Sequence, residues 1–174
     1  RARERGMKIF NFHLMPYADV DIEAIRKHGT SWITFPNSYY DPVKGAELAK
    51  AQKAQGADVI YAAAGGTGIG VLQTAADEGI LSIGVDSNQN YLHPGQVLTS
   101  MIKRVDNAVY DAFKEGADLK PGINVMDLAA GGVDVAMDDN NAPLVTPEMK
   151  AAVEDAAAKI KSGELKVHDY MSDN

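Results

Sequence analysis

The 174-residue chain contains no cysteine, which excludes disulfides, thiolate metal ligands and a cysteine nucleophile. The same absence does not fix a compartment, because many proteins of oxidising compartments also do without cysteine. Positive charge is scarce: 17 Lys and Arg stand against 24 Asp and Glu, a formal net charge of -7. Such a balance is poorly suited to a polyanion held by counterion release, so neither nucleic acid nor an anionic membrane surface is an expected partner. Long apolar runs are missing as well. A bilayer span needs about 20 apolar residues, and the longest apolar stretch, Val59 to Ala64, has the length of a strand. The opening Arg1-Ala2-Arg3-Glu4-Arg5-Gly6 is basic, but Lys8, Asn11 and His13 interrupt the apolar residues after it and no small-residue cleavage site appears, so no signal peptide is expected in this chain.

The rest of the composition fits an ordinary globular domain, with 45% hydrophobic and 24% charged residues. Lys8-Ile9-Phe10-Asn11-Phe12-His13-Leu14 alternates at period two and predicts a strand; Asp21 to Lys27 could form two helical turns, and Ser31 to Phe35 reads as a second short strand. From Asp41 the pattern is regular. Asp41 as N-cap and Pro42 at the first helical position open a helix that Gly56 stops, and Val59 to Ala63 is a near-continuous apolar run of the kind buried in parallel sheets. Ile69 to Glu78 predicts a helix, Ile80 to Val85 and Val97 to Ile102 strands, and Arg104 to Glu115 an amphipathic helix. Asn124 to Leu128 and Val133 to Met137 read as short strands, and Thr146, Pro147 and Glu148 start a last helix that ends at Ser162-Gly163. Strands alternating with helices through short glycine-bearing turns predict an α/β fold with a mainly parallel sheet and helices on both faces. Ligands in such sheets bind outside the carboxyl ends of the strands, which selects the loops 64–68 and 86–89 and, at the end of a third strand, Lys103.

Gly65-Gly66-Thr67-Gly68-Ile69-Gly70 opens a helix after a strand, where glycine lets backbone N–H groups approach a ligand. A dinucleotide fingerprint would need glycine or alanine at 71 and a phosphate loop would need lysine there; the residue is Val71. Phosphate cradling is therefore unsupported, and a tight turn with close helix–strand packing stands beside a ligand-lining loop. Asp86 ends an apolar strand and is followed by Ser87-Asn88-Gln89. An ionised carboxylate accepts both hydrogen bonds of a vicinal diol such as ribose, and Lys103 could keep it ionised and donate to the same hydroxyls. The plainer reading of Asp86 is a turn former, and of Lys103 a solvated cation. Four histidines, at 13, 28, 93 and 168, have no ligand spacing, and Asp134, Asp138, Asp139 and Asn140 lack the glycine and glutamate of a calcium loop, so a solvated acidic loop is expected there and no metal. No serine-hydrolase pattern is present, and nothing in the sequence demands catalysis.

Four ordered stretches carry a resemblance: Asp41-Pro42-Val43-Lys44-Gly45-Ala46-Glu47-Leu48-Ala49, Gly56 to Gly68, Ile83-Gly84-Val85-Asp86-Ser87-Asn88-Gln89, and Val97 to Asp106. They are similar to the basic membrane protein family, purine-nucleoside-binding lipoproteins that serve as substrate-binding components of ABC-type importers. The likeness continues through Gly131-Gly132-Val133 and Ile160 to Val167, and so covers about 41–174. It implies a lobe of the type I periplasmic-binding-protein fold, Rossmann-like and three-layered. It also implies a purine nucleoside (inosine, guanosine or adenosine) as ligand, an ABC transporter permease as partner, a cell-envelope location, either periplasmic or as a membrane-anchored lipoprotein, and no reaction or cofactor. By position, Asp86 and Lys103 resemble the pair that holds the ribose hydroxyls, and Gly65, Gly66, Thr67 and Gly68 the loop that lines the pocket. Tyr40, or Tyr39, is this chain's candidate for one of the aromatic rings that clamp the purine. The family implies a further N-terminal lobe with another pocket carboxylate.

Residues 7–48 are instead similar to the start of luciferase-like flavin-dependent monooxygenases, through Met7 to Pro16 and Trp32 to Asp41, which divides the chain into a segment 1–40 and a part 41–174. A barrel of that kind needs about 250 residues, so this opening cannot supply flavin chemistry by itself. Beside nucleoside binding stand two alternatives, a fragment of a flavin- or nucleotide-dependent oxidoreductase and a truncated or chimeric chain without strong ligand binding. In related two-lobed folds the strand after the sugar-binding Asp returns to the hinge, and the helix that follows it packs on the first lobe. Arg104 to Glu115 is therefore expected to expose an apolar face that seeks cover, from Met7 to Phe35 or from a second copy in a homodimer.

Overall fold

In the computed structural model, which describes residues 9–13, 33–34 and 40–167, the alternating N-terminal run forms strand β1 (Ile9–His13) and the second short run contributes β2 (Ile33–Thr34). Asp41 caps helix α1 (Pro42–Ala54): its Oδ1 accepts the Lys44 amide at 2.9 Å, and Pro42 occupies the first turn, where its missing N–H has no partner to lose. The apolar run is β3 (Val59–Ala63), followed by α2 (Thr67–Asp77), β4 (Leu81–Asp86) and β5 (Val97–Lys103). Helix α3 (Val105–Glu115), the short β6 (Val133–Val135) and α4 (Pro147–Ser162) complete the order. None of the described helices is long and apolar enough to cross a membrane.

The sheet runs β2-β1-β3-β4-β5-β6, and β1–β2, β1–β3, β3–β4 and β4–β5 are all parallel. This is the mainly parallel, three-layer α/β class that the strand–helix alternation predicts. In its first five strands the chain leaves β1 on one side for β2 and on the other for β3, the doubly wound order whose ligand crevice opens at the carboxyl ends near that reversal.

The chain divides into two compact units, Arg1–Ile102 with Val135–Leu144, and Lys103–Asp134 with Val145–Asn174. The first has a core: Val59, Ile60 and Ala62 of β3 are buried together with Ala49 of α1, Val71, Leu72 and Ala75 of α2, and Val97 of β5. Burying Ile60, Val71 and Leu72 contributes about 1.5–3 kcal/mol each, more than any single surface ion pair, so apolar packing around β3 holds this unit. The second unit is different, for none of its described residues is buried. Polar contacts order the start of α3. The Arg104 guanidinium grips Asp106 through Nε at 2.9 Å and Nη2 at 2.8 Å, which holds the Asp106 carboxyl down at about 2. Arg104 N donates to Gly132 O at 2.9 Å and Asn107 Nδ2 to Gly131 O at 2.9 Å.

Three sequence expectations change. Residues 124–128 form no strand: Ile123 and Val125 are 96% and 80% exposed, so the alternating apolar residues find no surface to pack on, and Asp127 instead closes a turn by accepting the Ala130 and Gly132 amides. Helix α2 begins two residues earlier than its apolar pattern, because Gly66 and not Gly68 ends the turn. Strand β6 stops at Val135, after which Asp138 and Asn141 take over the backbone bonding. The helix expected over Asp21 to Lys27, and Tyr39, lie outside the described residues.

Candidate functional site

Because β3 and β4 are adjacent and parallel, the loops that leave their carboxyl ends emerge side by side on one edge of the first unit. The first is Gly65 to Gly68. Gly65 turns the chain with φ 53°, and Gly66 caps α2. The four residues then part in role. Gly65 and Gly66 are half-exposed, whereas Thr67 and Gly68 are buried. Thr67 Oγ1 accepts the Asp41 amide at 2.9 Å and so ties the start of α1 to the turn. Gly68 lies against β3, where a Cβ would stand 3.2 Å from Ala62 O, and a Cβ on Gly70 would overlap the Pro42 carbonyl. From Thr67 onward the glycine-rich run thus serves helix packing, and its exposed remainder is the Gly65–Gly66 backbone. Tyr40, whose neighbour Asp41 bonds this turn, is 87% exposed.

The second loop starts at Asp86, the exposed last residue of β4. Its φ of 71° makes it the one non-glycine residue with positive φ among those described. Asp is among the few residues that tolerate this region, and a side chain held there is aimed differently from one continuing the strand. Gln89 folds back beneath the turn: its Oε1 accepts the Val85 amide at 2.8 Å, while its own N donates to Ser100 Oγ at 3.0 Å. Gly84 makes that possible, since a Cβ there would lie 2.7 Å from both Gln89 Oε1 and Ser100 Oγ. On the neighbouring strand Ile102 is the register partner of Asp86, and Lys103 is the next residue, the last of β5.

Sequence reasoning did not find two parts of this arrangement. Gln89 was legible only as a polar loop residue, yet it is the backbone partner of β4. Asp138, expected in a solvated acidic loop, instead accepts Asn88 Nδ2 at 2.6 Å across 50 positions of sequence. That bond, with the backbone amides of Asn140 and Asn141, draws the Asp138 carboxyl below its ordinary range. Asp134, from the same expected loop, stands in the second unit 3.7 Å from the Arg104 guanidinium.

The sequence profile of the PnrA-like ABC transporter substrate-binding proteins matches residues 33–170. The chain belongs to this family. Basic membrane protein B of Borreliella burgdorferi is 38% identical over 96 residues, 54% of this chain and 26% of that protein. The ABC transporter nucleoside-binding protein BmpA of Lactococcus lactis subsp. cremoris is 35% identical over 156 residues, 78% of this chain and 43% of that protein. The chain thus spans less than half the length of these relatives. Among solved structures, a transcriptional activator of the comK gene from Bacillus halodurans shares the fold, with TM-score 0.75 and 23% identity over 92% of this chain and 58% of that one. The PnrA-like match takes in residues 33–48, part of the stretch that resembles luciferase-like monooxygenases. That second resemblance finds no support, and the oxidoreductase alternative built on it is not favoured.

Proposed function

We propose that this chain is the part of an ABC importer's substrate-binding protein that holds the sugar of a purine nucleoside. The observation that carries the reading is Asp86: a carboxylate at the carboxyl end of a parallel strand, turned by a positive φ, beside a loop whose exposed face is glycine backbone. An ionised Asp accepts the two hydroxyls of ribose in a fork, and the glycine-rich turn has Val71 where a phosphate loop would need lysine and a dinucleotide fingerprint glycine or alanine. Gly65 and Gly66 form a flat wall that a planar base or sugar can approach, and Tyr40 is the ring available to stack on the purine. Family membership and the name of the Lactococcus relative support a nucleoside over other solutes. The ligand is inosine, guanosine or adenosine, bound and released without reaction. The partner is the importer's permease, and the setting is the extracytoplasmic face of the cell envelope.

Calorimetric titration of the wild-type chain and Asp86→Ala with the three nucleosides tests this. Hydrogen bonds to a charged group are worth about 1.5–3 kcal/mol each, so losing two should weaken binding on the order of a hundredfold or more. Equal affinity in the two proteins would remove Asp86 from the site, and with it this reading.

A further inference from the structure

Three consecutive residues after Ser87 are each tied down by side-chain hydrogen bonds within the first unit, and the ties converge. Asn88 Oδ1 accepts the Asn90 amide at 3.0 Å, Gln89 N donates to Ser100 Oγ at 3.0 Å, and that hydroxyl donates to Asn90 Oδ1 at 2.8 Å. Asn90 and Ser100 are wholly buried. The side-chain amides of Asn88 and Asn90 both reach Asp138 Oδ2, at 2.6 and 3.4 Å. Asp138 is itself fixed from behind. Its Oδ1 accepts the Asn140 amide at 2.8 Å, its N donates to Asn141 Oδ1 at 2.9 Å, and the buried Asn141 donates to Leu98 O at 2.9 Å and Ala136 O at 3.0 Å. A segment distant in sequence thereby clamps the far end of the loop, while Gln89 Oε1 on the Val85 amide clamps the near end. Only Asp86 and Ser87 bridge the two clamps, and the left-handed turn at Asp86 is how so short a link makes the connection.

We infer that Asp138 is the positioning residue of this site: its carboxylate, through Asn88 and Asn90, sets the loop that presents Asp86 to the ligand. The inference rests on Asp86 being the ribose acceptor, but its structural half can be read without ligand. The carboxylate is specifically suited because Oδ2 meets two N–H donors while Oδ1 meets a third. An amide of the same shape has one acceptor oxygen and must set its NH₂ against donors on one side or the other.

The experiment compares wild type, Asp138→Asn, Asn88→Ala and the double variant in the 174-residue chain, by amide hydrogen exchange resolved to segments and by inosine titration. Asp138→Asn is expected to speed exchange at 87–90 by about tenfold while α2 and β3 keep their protection, because the loop can then open locally without the core. Asn88→Ala should do the same, and the double variant should add little, as expected for two ends of one contact. Inosine affinity should fall about tenfold in Asp138→Asn, the population-weighted consequence of a loop that spends less time in the binding geometry. Unchanged exchange at 87–90 in both single variants, or additive effects in the double, would overturn the positioning role with the Asp86 reading intact. Loosened exchange with inosine affinity unaltered would overturn its link to binding. Asp86→Ala binding inosine like wild type, with the exchange result as expected, would instead sink the ribose reading.

Discussion

At the level of single residues, this chain shows how a motif can be divided between packing and presentation. The run from Gly65 to Gly70 contains four glycines, and the structure assigns the later ones to steric necessity: Gly70 faces the Pro42 carbonyl across the α1–α2 contact. Gly70→Ala sets two magnitudes against each other. Alanine in a helix gains about 1 kcal/mol over glycine, but a Cβ driven into backbone costs about 1–3 kcal/mol of overpacking, and here the obstacle cannot rotate away. The variant should lose stability by up to about 2 kcal/mol in urea unfolding; a gain would mean that α1 slides freely on α2. Asp86 and the exposed glycines were legible as candidates from residue type and strand-end position alone. The conformation of Asp86 was not legible, since it depends on the Gln89 and Asp138 contacts, and contacts over 50 positions leave no local periodicity to read.

At the level of elements, caps and apolar runs were the dependable signals. Asp41-Pro42 fixed the start of α1, Thr146-Pro147 that of α4, and the apolar stretches of β3, β4 and β5 stood within a residue or so of where their patterns put them. Short alternating stretches without a partner failed, as at 124–128, because alternation states a preference for a half-buried surface and cannot supply one. The α3 helix repeats that lesson on a larger scale. Its apolar residues Val105, Val109 and Phe113 recur at four-residue spacing with Tyr110 beside them, yet all four are exposed, Phe113 to 83%. The 174-residue chain should therefore bind an apolar dye such as anilinonaphthalene sulfonate without denaturant, and Phe113→Asp should abolish most of that signal. If a second copy covers this face, light scattering finds a species larger than a monomer. A monomer without dye binding would show the face to be covered in solution.

At the level of the whole molecule, alternation of strands and helices was enough to name the class, and the sheet order β2-β1-β3-β4-β5-β6 realises it. The division into units was less visible, because its first cut falls at Lys103, the last residue of β5, within the strand–helix grammar. Burial draws that line instead: the first unit has an apolar core around β3, and the second has no buried residue among those described. Family membership explains why a nucleoside is the ligand to try, while the claim special to this chain is that Asp86 grips the diol of its sugar. Titration of the wild-type chain with inosine beside 2′,3′-dideoxyinosine isolates that claim, because base and ring are kept and only the two hydroxyls are removed. The dideoxy compound should bind about a hundredfold more weakly, corresponding to about 3 kcal/mol for two charge-assisted hydrogen bonds. Equal binding of the two compounds would contradict the account.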